Sequence, residues 1–594
     1  MNRQYRQVSN YDKFPTIKID GYPNAGTAGW GQIREILQNK IYAAATGSLV
    51  VAVECYPGVI DAHLLPDLID IFHPSLIIQT SSCMKEVKQL DELLFSDLTD
   101  DRIFGFMTRL ELSDFFDADL LAAARKTLVQ QATGVVLLYG VGATLMANPD
   151  ICIYADMPRW EAQLRFRRNE VSNLGVDNLR EDPVRQYKRA FFIDWRVCDR
   201  WKRKIFEKID FFLDTTKPNQ VKLIDGNAMR IGLKQLTQQP FRVMPFFDPG
   251  PWGGQWMKEV CGLDETSPNY AWCFDCVPEE NSLSLQFGNV TTEIPAINLV
   301  FYQPELLLGA AVYGRFGAEF PIRFDFLDTM QGGNLSLQVH PLTEYIREKF
   351  GMFYTQDESY YILDAGPEAI VYLGLKNNVA AEQLEQELIT SETSGKFDAE
   401  KFVKTWPVQK HDHFLIPAGT IHCSGANSMV LEVSATPYIF TFKLWDWNRL
   451  GLDGLPRPIN TRHGLANIQW NRSEDWVEKN LINRIEKIAE GNGWFEERTG
   501  LHETEFIETR RHWFTEPVEH DTAGTVNVLN LIEGEEVLVE SPDGHFQPFT
   551  VHYAETFIVP ASVGRYRISP HRSCSEKYAT LKAFVRTKAY VFKH

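Results

Sequence analysis

Between Leu335 and His340 apolar and polar residues alternate without a break, Leu335, Leu337 and Val339 on one face and Ser336, Gln338 and His340 on the other. A period of two is that of a β-strand with one buried face, so an amide and an imidazole stand side by side on a single rigid row. Pro341 ends that strand, because it has no N–H to give to a ladder. Further along, Glu358 precedes the strand-like run Tyr360 to Leu363. His422 follows Ile416-Pro-Ala-Gly-Thr-Ile421, where Pro417 and Gly419 make a tight turn. Two imidazoles, a carboxylate and an amide oxygen can fill most of a Zn²⁺ shell and leave a position for substrate or water. Gln338, His340, Glu358 and His422 are therefore the candidate metal ligands.

The rest of the chain divides by texture. Its 594 residues predict about three compact units at roughly 100 to 200 residues per domain. Over the first 235 or so residues, short apolar runs (Thr16 to Asp20, Leu49 to Glu54, Leu76 to Gln79, Arg102 to Met107, Val135 to Tyr139, Ile151 to Ala155) alternate with amphipathic stretches. Trp30 to Ala43, Asp117 to Gln131 and Arg159 to Asn169 read as helices. Such alternation predicts an α/β domain with a mainly parallel sheet. From about residue 290 the texture becomes β-rich, punctuated by Gly, Pro and Asn, with a helical interlude at Ala380 to Leu388. We expect a multidomain chain: an α/β domain over 1–238, a β-rich domain over 239–490 and a smaller β domain over 491–594.

A net charge of −18 argues against nucleic acid and anionic membranes as partners, which leaves small molecules. No apolar run reaches the 18 residues of a membrane span. Met1 to Arg6 lacks the apolar segment of a secretory signal. Nine cysteines, an odd number without framework spacing, fit a reducing compartment and predict a cytoplasmic protein. Cys273-Phe-Asp-Cys276 has no second Cys or His pair and reads as two strand cysteines.

After the first apolar run comes Gly21-Tyr-Pro-Asn-Ala-Gly26-Thr27-Ala28 and then a helix. Strand, glycine loop and helix are the setting of a phosphate loop, but Thr27 stands where the lysine belongs and Ala28 where a hydroxyl should hold Mg²⁺. Asp150 to Asp156, followed by Arg159, Arg165, Arg167 and Arg168, resembles the strand and arginine-bearing lid helix of uridine-kinase-like nucleoside kinases. Tyr187 to Trp195 and Ile209 to Thr216 extend the resemblance. It implies a P-loop kinase-like fold with a degenerate Walker A loop and no efficient phosphoryl transfer. A nucleotide remains a possible ligand, and the arginines otherwise form a solvated helix face.

The second unit resembles the type I phosphomannose isomerases, zinc enzymes of the cupin fold that interconvert mannose 6-phosphate and fructose 6-phosphate. The resemblance runs in order through Pro251-Trp-Gly-Gly254, Phe320 to Asp328, Asn334 to Pro341, Tyr361 to Ala365, Tyr372 to Lys376, Phe414 to His422 and Leu444 to Arg457. It implies that Gln338, His340, Glu358 and His422 hold Zn²⁺ and that residues 525–594 form a smaller C-terminal cupin-like barrel, where His552 and His571 are scattered rather than ligating. It also implies a catalytic acid on the strand after His422. Glu432 lies there, opposite Met429, Leu431 and Val433, and is expected either to carry the proton of an aldose–ketose isomerisation or to serve as a structural carboxylate paired with Lys443. Lys443 takes the place of a family arginine, and Gln356 stands where a lysine would serve the sugar phosphate. The expected partner is a sugar phosphate, and the alternative is a catalytically silent protein that binds sugar or nucleotide.

Overall fold

The computed structural model describes residues 9–44, 47–435, 440–450, 456–500, 502, 504–571 and 577–587. Met1 to Arg6 and the 451–455 part of the Leu444 to Arg457 motif lie outside them.

The first third is built on a seven-stranded sheet in the order Gly26–Ala28, Lys222–Asp225, Phe211–Asp214, Ile151–Asp156, Ser48–Cys55, Gly134–Gly140, Leu76–Gln79. The last five are mutually parallel. In the inner strands most Val, Ile, Leu and Ala side chains are buried on both faces, as continuous apolar runs in a parallel sheet require, while Ile77 on the edge strand Leu76–Gln79 is exposed. Helices Trp30–Ala44, Ala118–Gln130 and Arg159–Arg167 occupy the amphipathic stretches.

Two expectations fail here. Arg102 to Met107 is not a strand: the Asp101 side chain accepts from the backbone N–H groups of Ile103 and Phe104 at 2.7 Å each, folding the chain into a turn. Nor do Gly21 to Ala28 form a phosphate loop. The preceding strand, Thr16–Lys18, leaves this sheet altogether and pairs parallel with Ser284–Gln286. Gly26–Ala28 is itself a strand, antiparallel to Lys222–Ile224, and the helix starts only at Trp30. The loop N–H groups are thus not gathered at a helix N-terminus.

The middle of the chain forms two facing antiparallel sheets. One has the order His413–Ile416, Glu358–Ala365, Ser428–Ala435, Ile322–Asp328, Trp272–Cys276, Phe246–Asp248. The other runs Val403–Pro407, Ile370–Leu375, His422–Ser424, Leu337–Val339, Phe442–Trp445. The C-terminal stretch adds a six-stranded and a four-stranded sheet around their own apolar cluster. Among the described residues no helix is long and apolar enough to cross a membrane, and eight cysteines are free and buried.

The α/β unit packs tightly on the central sheets. Phe104 is buried against Phe350, Phe440, Phe442 and His463 at ring separations of 5.2 to 6.0 Å. The Met107 N–H donates to the Phe350 carbonyl at 2.9 Å, and Asp101 Oδ2 lies 3.1 Å from His463 Nε2.

Candidate metal centre

Gln338 sits in the middle of strand Leu337–Val339, opposite His422 on one side and Lys443 on the other. The Pro417 to Thr420 turn delivers His422. At its bend Gly419 has φ +88°, a conformation L side chains resist, and a Cβ there would meet the Asn467 carbonyl at 2.8 Å. The Gly419 N–H donates to the His340 carbonyl at 3.0 Å, tying the two histidine segments together. Glu358 enters from the facing sheet, at the start of strand Glu358–Ala365.

The three side chains converge. Glu358 Oε2 lies 3.0 Å from His340 Nε2 and Oε1 lies 2.8 Å from His422 Nε2, and the ligand atoms all fall within 4.8 Å of one another. Both histidines are fully buried. Each ring spends its other nitrogen on a backbone carbonyl, His340 Nδ1 on Phe440 at 3.0 Å and His422 Nδ1 on Thr420 at 2.9 Å. A neutral imidazole donating from Nδ1 presents a lone pair at Nε2, so two such lone pairs face a carboxylate. Buried acceptors do not normally confront one another; a divalent cation satisfies all three, and the donor set fits one. Gln338 completes the ring of donors: its amide nitrogen is drawn 3.2 Å from His422 Nε2 and its oxygen accepts from Ser336 Oγ at 3.1 Å. Rotating the amide by half a turn exchanges the two ends.

Burial raises the Glu358 carboxyl, and a proton carried by His340 or His422 at Nε2 lowers it well below the usual carboxylate range; with both rings neutral, a cation supplies that positive charge instead. Gln356 donates to Glu358 Oε2 at 2.9 Å and so orients the carboxylate between the rings.

Glu432 shares the inward face with Glu358. In the ladder it stands opposite Tyr360 on one side and Asp325 on the other, while Glu358 and Arg323 both stand opposite Ser434. Its Oε1 accepts from Ser434 Oγ at 2.8 Å and from Arg323 Nη2 at 3.1 Å. Burial, then the charge of Glu358, pushes the Glu432 carboxyl well up, with Arg323 opposing. Its ion-pair partner is thus Arg323 rather than Lys443. Arg323 also binds Asp325, which burial raises to about 6 against the pull of the same arginine. Lys443 Nζ lies 3.8 Å from Asp446 Oδ2, a carboxylate shared with Arg449 at 3.2 Å and Arg457 at 3.0 Å. Burial, with Arg457 adding, lowers Lys443 to about 8. Three cations around one carboxylate leave a net positive cluster, and Asp446, Arg449 and Arg457 line a cavity of about 470 Å³.

Arg323, Asp325 and Tyr360 went unassigned in the sequence. The signal was present in Ile322-Arg-Phe-Asp-Phe326, where charges at alternate positions of an apolar strand must point inward together. Tyr360 carries a buried hydroxyl with no hydrogen-bond partner among the described residues, and its ring lies 5.8 Å from that of His422.

The chain is similar to known proteins over part of its length. The chain is 25% identical over 235 residues to mannose-6-phosphate isomerase ManA of Bacillus subtilis, covering 39% of this chain and 69% of that protein. It is 26% identical over 217 residues to the mannose-6-phosphate isomerase of Streptococcus mutans, covering 36% and 63%. It thus spans about two thirds of the length of the curated relatives it matches. A crystal structure of the B. subtilis mannose 6-phosphate isomerase aligns with 58% of this chain and 99% of its own at a TM-score of 0.47 and 20% identity. A phosphomannose isomerase of Salmonella typhimurium aligns over the same shares at 0.45 and 12%. Residues 29–238 match a family described as a domain of unknown function, DUF8485.

In that first unit the arginines expected to form a phosphate lid are all ion-paired, Arg159 and Arg165 in the interior and Arg167 and Arg168 on an exposed face. Arg159 is buried between Asp199 and Glu279. Arg165 is buried too, donating to Glu161 and to the carbonyls of Gly58 and Thr215. Arg167 pairs with Asp248, and Arg168 with Glu161 and Glu170. All four are committed to the protein.

Proposed function

We propose that this chain is a zinc-dependent aldose–ketose isomerase that interconverts mannose 6-phosphate and fructose 6-phosphate. The observation that carries the reading is the inward-facing group of His340, Glu358 and His422, with Gln338 beside it and Glu432 on the same interior face. Zn²⁺ held by Gln338, His340, Glu358 and His422 would supply Lewis-acid stabilisation of the negative charge that develops on the substrate oxygens. Glu432 takes the proton from C2 of the aldose and returns it to C1, while the proton of the O2 hydroxyl passes to O1, so that C2 becomes the carbonyl and C1 the alcohol. Burial raises the Glu432 carboxyl, which makes its carboxylate a stronger base than a solvated one. Arg323 positions Glu432 through its ion pair. Lys443, with Arg449 and Arg457 behind it, offers positive charge for the phosphate in place of the missing lysine, and Arg449 and Arg457 have the planar fork that suits phosphate oxygens. The similarity to the curated isomerases supports the substrate.

The test is a coupled assay for fructose 6-phosphate formed from mannose 6-phosphate, with and without a chelator. We expect turnover that chelation abolishes and zinc restores, and a Glu432→Gln variant that still binds zinc but loses at least a hundredfold in kcat, the low end of what a positioned acid–base contributes. A second reading, a protein that holds the ion without turnover, draws on the Arg323 contact that ties up Glu432; a zinc-loaded chain inert toward the sugar phosphate would establish it.

A further inference from the structure

The carboxyl ends of three neighbouring parallel strands, Ser48–Cys55, Leu76–Gln79 and Gly134–Gly140, open on a cavity of about 490 Å³ whose far wall is the 170–177 segment. In open parallel sheets ligands bind in the crevice outside the carboxyl ends of the strands, and this volume is that of a small-molecule site. Nothing in the proposed isomerase chemistry uses it.

Its chemistry excludes the ligand that a kinase-like unit would bind. No lysine, arginine or histidine lines it, whereas Asp61, Glu170 and Asp177 do. Phosphate oxygens could otherwise bind the backbone N–H groups of the turn that follows strand Gly134–Gly140, but those donors are taken. The buried Glu54 carboxylate accepts from the N–H of Gly142 at 2.5 Å and of Thr144 at 2.8 Å, and from Thr144 Oγ1 at 2.6 Å. The chain's own carboxylate fills the anion site.

What remains suits a cation. Glu170 is neutralised by Arg168 at 2.9 Å, while Asp177 has no ion-pair partner among the described residues. Asp61 Oδ1 accepts only a neutral hydrogen bond, from the Tyr139 hydroxyl at 2.9 Å, and has no ion-pair partner among the described residues; burial raises its carboxyl, a shift that a cation beside it would oppose. Thr80, 2% exposed, lines the same cavity beside Gly140, and its hydroxyl has no hydrogen-bond partner among the described residues. A hydroxyl that lines a cavity and makes no hydrogen bond to the protein is available to an occupant as donor or acceptor. Val59, Val141, Leu174 and Val176 supply the apolar part of the wall.

We propose that this cavity binds a small, unphosphorylated organic ammonium ion, with its N–H groups on Asp61 and Thr80 and its apolar body against the valine wall. An ammonium offers three donors, where a carboxylate and a hydroxyl offer acceptors, and the negative lining repels phosphorylated competitors.

The test is saturation-transfer NMR on the full chain with three matched probes: cyclohexylmethylammonium, cyclohexylmethanol and AMP. Transfer to the ammonium probe is expected, falling at least threefold in Asp61→Asn and in the near-isosteric Thr80→Val, with little transfer to the alcohol or to AMP. Both variants are checked for an unchanged thermal melt, and Asp61→Ser or Thr80→Ala stands in for the one that fails to fold. The proposal is overturned by no transfer to the ammonium probe, by equal transfer to AMP or the alcohol, or by ammonium transfer that the variants leave unchanged.

Discussion

Replacing Glu358 by glutamine keeps the shape of the side chain, removes one charge and turns one acceptor into a donor. Its effect should have opposite signs in the two states of the metal centre. In the loaded protein the carboxylate lies between two imidazoles, 3.0 and 2.8 Å from their Nε2 atoms, and is its charged ligand. Two unit charges 4 Å apart at an effective dielectric of about 20 interact by about 4 kcal/mol. Taking that as the loss, affinity falls roughly a thousandfold. In the metal-free protein the substitution relieves a conflict. Gln356 already donates to Oε2, so the new amide keeps its oxygen there and offers its N–H to His422 Nε2, a gain of about 1 kcal/mol for a hydrogen bond made in place of two facing acceptors. Competition against a chromophoric chelator at pH 8 measures the first effect, and thermal melts with and without zinc measure both. Wild-type affinity in Glu358→Gln, or a metal-free variant melting well below the metal-free parent, would refute the reasoning and make the carboxylate a structural ion-pair partner.

Two further outcomes follow from groups outside the ligand set. Burial, with Arg511 adding, holds His413 down at about 3, so the folded state keeps it neutral while the unfolded chain protonates it below about 6.5. Stability is complete above that pH and falls as pH drops toward 3, by about 2 kcal/mol between 6.5 and 5; urea melts across that range should show a slope that His413→Gln flattens. Phe104→Ala should destabilise the chain by about 3 to 5 kcal/mol as a large-to-small core change. Because Phe104 stacks on Phe440, whose carbonyl orients His340, the same variant should weaken zinc binding by roughly ten- to a hundredfold, read by the same chelator competition.

What the sequence reveals is what local pattern determines. The alternation from Leu335 to His340 is a property of six consecutive residues, and the runs at Leu49, Leu76, Val135 and Ile151 declare buried parallel strands by composition alone. What escapes depends on distant partners. Thr16–Lys18 reads as the opening strand of the α/β sheet, yet pairs with residues 284–286, a choice no local pattern records. The arginines of Arg159–Arg167 look like a solvated or ligand-binding row until Asp199, Glu279 and the Thr215 carbonyl claim them. Arg102 to Met107 has strand-like residues, but a single aspartate side chain outcompetes the ladder. Arg323 and Asp325 show their shared face in the sequence; that the face meets Glu432 is visible only once three strands are in register.

Phe192 rides on a π-helical turn, Ala190–Asp194, and lies 5.9 Å from Phe440, while Asp194 in the same turn holds Asn173 and the Leu174 N–H in the wall of the ammonium cavity. The first third of the chain is therefore part of the foundation under His340 rather than a passenger fused ahead of the β-rich units. A lineage that shed it by recombination would have to re-invent the floor beneath His340, which gives selection a reason to inherit the two halves together.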